Sequence, residues 1–238
     1  MIMFVTSRCN MGCSHCMSDC YENGTDMTQR VFFNSIKFLH KIEPAGILIS
    51  GGEPTLYPDI IHIIRRLQLE FPNTAFVLCT NGTFTEIDCI AEQLPGLNIV
   101  VQITHDARYY PKPIDLKKLR DYDIELKLQT VCQYGRAAKN GISLNDRSSP
   151  YCFNMRSILK HTDFITANKN REGSFKFCSW GITPQGKITL SESLLCPTVG
   201  SVTDPIEVIE DNIRHFKCTD CVYARRMMSY PKFAAVLT

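Results

Sequence analysis

Short apolar runs alternate along the first 131 residues with segments whose apolar positions recur at helical spacing. MIMFVT over Met1–Thr6 reads as a buried strand, as do GILIS over Gly46–Ser50, AFVLCT over Ala75–Thr80 and LNIVVQIT over Leu97–Thr104. ELKLQTV, from Glu125 to Val131, predicts a fifth strand. Between them, Thr28–Ile42 carries Val31, Phe32, Ile36, Phe38, Leu39 and Ile42 on one helical face. A second helix is expected from an Asp59 cap through Glu70, closed by Pro72, with others over Glu86–Leu94 and Asp115–Tyr122. Nearly continuous apolar strands separated by helices predict an α/β fold with a parallel sheet covered by helices.

The pattern changes after about Lys139. The chain is polar and loop-rich through Ser149-Pro150, then resumes in short pieces. GITPQGKITLS, from Gly181 to Ser191, predicts a β-hairpin turning at Gln185-Gly186, and Ile206–Phe216 is helix-like. A boundary near Lys169 divides a large unit, residues 1–169, from a small one, residues 170–238.

Composition narrows the class. Of 238 residues, 44% are hydrophobic and 21% charged, which describes a globular chain with a substantial core. A formal charge of +2 gives no electrostatic reason to expect nucleic acid as a partner. No apolar run approaches the roughly 20 residues that span a bilayer, and MIMFVT lacks the features of a signal peptide. A cytoplasmic protein is expected. Twelve cysteines are many for such a chain, and a disulfide framework suits neither its size nor this compartment. Metal or cluster ligation accounts better for the clustered ones. Cys79, Cys89 and Cys132 lie in apolar or helical patterns that suit small core residues.

Three cysteines fall within CNMGCSHC, directly after the first strand. Cys9, Cys13 and Cys16 have the spacing C-x3-C-x2-C, which lets a loop wrap three thiolates around one face of a cubane iron–sulfur cluster. The fourth iron then has no protein ligand. A zinc ion takes four ligands and would have to recruit Cys20 or His15. The second strand ends in GGEP, where Gly51 and Gly52 permit close backbone approach and Glu53 offers a carboxylate at the carboxyl end of a parallel sheet.

Together with Thr80-Asn81-Gly82-Thr83 and Gly135-Arg136-Ala137, these motifs resemble the radical S-adenosylmethionine (radical SAM) superfamily over roughly residues 1–138. The resemblance implies a partial (β/α)6 barrel. It implies that Cys9, Cys13 and Cys16 hold a 4Fe-4S cluster whose open iron takes S-adenosylmethionine. One-electron cleavage then yields a 5′-deoxyadenosyl radical that abstracts hydrogen from the substrate. His15 stands where the family usually has an aromatic residue, used through its backbone against adenine. By the same resemblance Gly51, Gly52 and Glu53 should meet the methionine amino group. Gln102, Thr104 and Asp106 are candidates for the ribose, and Arg136 for the carboxylate. Thr104-His105-Asp106 departs from the more usual Ser-Leu-Asp.

Cys178, Cys196, Cys218 and Cys221 can close a tetrahedral zinc site or hold a second 4Fe-4S cluster. Their layout resembles the twitch domain, a shortened SPASM auxiliary-cluster domain, and the short aminocyclitol dehydrogenase of butirosin biosynthesis in particular. The resemblance therefore implies an auxiliary iron–sulfur cluster and an oxidoreductase or epimerase. Its substrate would be a small polar molecule such as an aminocyclitol, sugar or nucleoside. Its electrons would come from a flavodoxin- or ferredoxin-type donor. Cys132 and Cys152 are candidate hydrogen donors for epimerisation, and Arg156 or Asp106 a candidate base for oxidation. Arg147, Arg156, Tyr109, Tyr110 and Trp180 are candidates to line the barrel mouth. A peptide substrate is the alternative, against which stands the lack of room for a peptide-recognition domain before the first strand. A non-catalytic iron–sulfur or zinc-binding module is the other.

Overall fold

The computed structural model describes residues 1–83, 96–104, 109–111, 124–127, 131–132, 135–142, 148–149, 180–190 and 193–216. Five strands follow one another in space as in sequence. They are β1 (Ile2–Thr6), β2 (Gly46–Gly51), β3 (Ala75–Thr80), β4 (Val100–Thr104) and β5 (Ile124–Lys127), each parallel to its neighbour. Every residue of β1 is buried, as the unbroken apolar run requires of a central strand. Helix α1 (Gln29–Ile42) buries Phe32, Ile36, Phe38, Leu39 and Ile42, and α2 (Ile60–Glu70) buries Ile60, Ile61, Ile63, Ile64 and Leu67. Both apolar faces join the core formed by the strands. This is the mixed α/β, parallel, open arrangement that the alternating pattern predicts.

Two details differ from the pattern. Thr28 caps α1 by accepting from the Val31 N–H, but Asp59 caps α2 by position alone. Its backbone is left-handed, with φ of 61°, and its side chain makes no cap hydrogen bond. The fifth expected strand is split. β5 stays in the main sheet, whereas β6 (Val131–Cys132) pairs with β7 (Ser148–Ser149) in a separate two-stranded ladder. ELKLQTV alternates polar and apolar residues, and so lacks the continuous run that burial on both faces demands. The expected helices over Glu86–Leu94 and Asp115–Tyr122 lie outside the described residues, as does the boundary near Lys169.

The predicted hairpin is present as β8 (Gly181–Ile182) and β9 (Lys187–Thr189), with Gly186 at φ of 75° in its turn. Strand β10 (Thr198–Ser201) pairs with β9, and α3 (Ile206–His215) follows. β8 adds in parallel to the free side of β1, giving the order β10-β9-β8-β1-β2-β3-β4-β5. Trp180, expected at the barrel mouth, is instead buried in the shared core with Ile182, Ile188, Ile209 and Ile213.

Candidate functional site

Because β1 to β4 are parallel, their carboxyl ends lie on one side of the sheet, and the chain places its unusual residues there. The loop after β1 carries Cys9, Cys13 and Cys16. Cys9 is buried beside Met11 and Cys20, with Cys13, Cys16, Tyr110 and Leu194 packed around them. Cys9, Cys13, Cys16, Cys20, Cys79 and Cys196 form no disulfide. Gly12, at φ of 66°, makes the turn between Cys9 and Cys13.

Two glycines let this loop sit where it does. A Cβ on Gly51 would stand 2.4 Å from the Thr6 carbonyl oxygen. One on Gly52 would stand 2.2 Å from the Arg8 carbonyl oxygen and 2.9 Å from Cys9 Cβ. The Gly52 N–H donates to Thr6 O at 2.9 Å and the Glu53 N–H to Arg8 O at 2.7 Å. The close approach expected of a glycine pair is thus realised against the cysteine loop itself.

Glu53 has no exposed surface. Its Oε1 accepts from Thr55 N–H (3.1 Å), Thr55 Oγ1 (2.6 Å) and Thr80 Oγ1 (2.6 Å), and its Oε2 from the Asn81 N–H (2.7 Å). Burial pushes its carboxyl upward, against four donors that favour the charged form. The carboxylate therefore ties the end of β2 to the end of β3. From there Asn81 reaches the loop, its Nδ2 lying 3.2 Å from Asn10 Oδ1 and 3.9 Å from Cys9 Sγ. Thr83 Oγ1 donates to Asn10 Oδ1 at 3.0 Å, and Asn10 Nδ2 donates to the Thr83 carbonyl at 3.2 Å.

The thiols differ in acidity. The neighbouring Cys20 side chain holds Cys16 down at about 6, and backbone N–H groups add to the effect, that of Cys20 donating to Cys16 Sγ at 3.4 Å. Cys13 is pushed up to about 12 by burial and by Cys9 and Cys16. Burial also raises Cys9, while the Met11 N–H opposes it. Backbone N–H groups directed at the sulfurs suit anionic thiolates, including those of an iron–sulfur cluster. Among the described residues, no three His, Cys, Asp or Glu side chains are gathered around a single-ion position. A cubane does not require that, since each thiolate binds a different iron.

Other candidates fall as follows. His15 is buried, with its ring 5.0 Å from that of Tyr109 and 5.6 Å from that of Tyr110, the latter pair stacked. Tyr110 donates its hydroxyl to the Thr104 carbonyl and lies 3.2 Å from Thr104 Oγ1, folding over the end of β4. Cys79 is half-buried and contacts Gln102 Oε1 at 3.4 Å. The Arg136 guanidinium, expected to face a carboxylate of the cofactor, is engaged with the loop. It donates to the carbonyls of Cys13 (2.7 Å) and Cys20 (2.6 Å), to Asp19 Oδ1 (3.2 Å) and to the Tyr21 hydroxyl (3.1 Å). Cys132 lies in β6. Asp106, Arg147, Cys152, Arg156, Cys178, Cys218 and Cys221 lie outside the described residues.

Cys196 is buried in a turn whose first residue grips the cysteine loop. Ser193 Oγ donates to the Met17 carbonyl at 2.8 Å, and the Leu194 N–H donates to Ser18 Oγ at 3.1 Å. Nothing in sequence spacing announces Ser193 or Asp19. Asn10 and Asn81 could have been found, since each sits inside a motif already singled out.

A family model described as the Radical SAM superfamily matches residues 3–133. A putative glycyl-radical enzyme activating enzyme of Methanocaldococcus jannaschii is 30% identical over 146 residues, 59% of this chain and 57% of that protein. The chain thus spans about half the length of the curated relatives it matches. The solved structure of BtrN in complex with AdoMet and 2-DOIA superposes with a TM-score of 0.56 at 14% identity, covering 98% of this chain and 85% of that one. That of anSMEcpe with bound AdoMet and the Kp18Cys peptide gives 0.59 at 14%, covering 94% and 86%. Both are likenesses of fold.

Proposed function

Since the chain belongs to the radical SAM superfamily, whose members use a 4Fe-4S cluster and S-adenosylmethionine, we propose that Cys9, Cys13 and Cys16 are the cluster's three protein ligands. On this reading the protein reductively cleaves S-adenosylmethionine and removes hydrogen from a small polar substrate. The observation that carries it is the packing of three thiols at the carboxyl end of a parallel sheet, on a loop that Gly51, Gly52 and Arg136 fix in place. When bound, the cluster and S-adenosylmethionine together supply a carbon-centred radical able to attack an unreactive C–H bond.

The chain's own residues do the positioning. Glu53 and Asn81 lock the ends of β2 and β3 to the loop, and Met11 and Gly12 direct N–H groups at Cys9. The buried His15 and the half-buried Tyr109 and Tyr110 form a ring cluster on the same side, suited to limit water at the reacting centre. Anaerobically reconstituted and reduced protein should release 5′-deoxyadenosine from S-adenosylmethionine. Cleavage that survives replacement of Cys9, Cys13 and Cys16 by alanine would refute the assignment.

The small-molecule reading draws support from the fold likeness to BtrN, which covers nearly the whole chain. The likeness to anSMEcpe, solved with a peptide, keeps a peptide substrate as the second reading. Residues 170–238 are read as a twitch-like extension in which Cys178, Cys196, Cys218 and Cys221 hold an auxiliary 4Fe-4S cluster. That second cluster would accept the substrate electron in an oxidation, with Arg156 or Asp106 as base. In an epimerisation Cys132 or Cys152 would instead return a solvent-exchangeable hydrogen. Product formed in deuterium oxide decides between them. An epimerase places one deuterium on the product carbon and an oxidoreductase places none.

A further inference from the structure

Residues 135–140 draw the cysteine loop against them by its carbonyl groups. Besides the two guanidinium bonds to Cys13 O and Cys20 O, the Arg136 N–H donates to Cys16 O at 2.9 Å, and Asn140 Nδ2 donates to Ser14 O at 2.8 Å. Gly135, at φ of 50°, lies so close under the loop that a Cβ there would be 2.6 Å from Met17 O and 2.7 Å from Cys16 O. Four carbonyl groups of one short loop are therefore turned toward residues 135–140. Their negative ends do not face the thiols, where they would repel anionic sulfur.

Arg136 is itself fixed. Its guanidinium carbon lies 4.0 Å from the centroid of the Tyr21 ring, and Asp19 pairs with both Arg136 and Lys139. Only 7% of the residue is exposed. Burial works against its charge, yet Cys16, Tyr21 and Asp19 more than restore it. The same cation favours the thiolate forms of Cys13 and Cys16. A planar fork that reaches two carbonyls, a carboxylate and a hydroxyl at once is a task that only arginine can perform.

We propose that Arg136 is a positioning residue with two effects: it holds the cysteine loop in its ligand-ready shape before any cluster binds, and it places a fixed positive charge beside the thiolates that makes the bound cluster easier to reduce. A cation near a cluster stabilises the reduced form, which carries one more negative charge, so loss of the cation lowers the potential. Asp19 partly cancels that charge. Its removal should act in the opposite direction.

The proposal rests on the cluster reading above, and its two arms separate the two ideas. In metal-free protein, Arg136→Gln should speed amide hydrogen exchange across residues 9–20 by about tenfold or more, because buried carbonyls lose their donors. Arg136→Lys should recover little of that protection, since one ammonium cannot span the four acceptors. In reconstituted protein at a fixed reducing poise, Arg136→Gln should lower the ratio of reduced to oxidised cluster, read by electron paramagnetic resonance. A tenfold change corresponds to about 59 mV for a one-electron couple. Arg136→Lys should return most of that ratio, and Asp19→Asn should raise it above wild type. A purely structural role would move exchange in Arg136→Gln but leave all the ratios together. Wild-type exchange with a wild-type ratio in Arg136→Gln would overturn the proposal, as would a lowered ratio in Asp19→Asn. If the wild-type protein holds no cluster, the cluster reading fails and the exchange arm still decides whether Arg136 orders the loop.

Discussion

Replacing Gly52 with alanine tests whether the GGEP glycines serve the cysteine loop. The added Cβ would lie 2.2 Å from Arg8 O, and ordinary contact begins at about 3.4 Å, so the carbonyl must retreat by about 1 Å. Cys9 Cβ, at 2.9 Å from the same point, must move with it. That retreat stretches the 2.7 Å bond from the Glu53 N–H past the usual limit of about 3.2 Å. Loss of that bond costs about 0.5–1.5 kcal/mol, and forcing a methyl into packed backbone costs about 1–3 kcal/mol. Gly52→Ala should therefore lose about 2–4 kcal/mol in urea unfolding of the metal-free protein. A displacement near 1 Å at the thiolate loop should also cut S-adenosylmethionine cleavage by about 100-fold. Gly96→Ala is the control. A Cβ there meets nothing within 4 Å, and its stability should stay within about 0.5 kcal/mol of wild type. A Gly52→Ala protein with wild-type unfolding and full iron content would refute the steric argument.

Glu53→Gln should destabilise by about 1–3 kcal/mol, because one amide –NH2 must then face a donor where a carboxylate oxygen now accepts. Urea midpoints against wild type measure it, and Glu53→Gln as stable as wild type would mean the carboxyl is not holding those donors. In metal-free protein, thiol alkylation followed by mass spectrometry should modify Cys16 with a half-point near pH 6, while Cys13 resists until near pH 12. The deprotonated thiol is the nucleophile, so each rate rises with pH through its own value, and a reversed order would contradict the Cys20–Cys16 hydrogen bond. Ser193→Ala removes the donor to Met17 O and should cost about 1 kcal/mol. It should also speed hydrogen exchange in both the cysteine loop and residues 193–196; faster exchange in only one of them would show that the two segments are not coupled there.

The sequence by itself determined the parallel α/β plan, the hairpin at Gln185-Gly186 and the spacing of three cysteines on the loop after β1. These are legible because strand and helix periods, turn glycines and cysteine spacing are local quantities along the chain. Only the tertiary structure decided what the motifs hold. By motif, Gly51, Gly52, Glu53 and Arg136 are candidates to meet a bound ligand; the fold in addition packs both glycines against the cysteine loop, ties the Glu53 carboxylate to the end of β3 and bonds Arg136 to the loop's carbonyls. The β8–β9 hairpin likewise docks on the free side of β1, beyond what a local pattern of apolar residues can specify. Arg136 and Cys20 are separated by 116 positions. Close contacts at such separation depend on which strands neighbour one another and on the space a missing Cβ leaves between them, and neither is written in local periodicity.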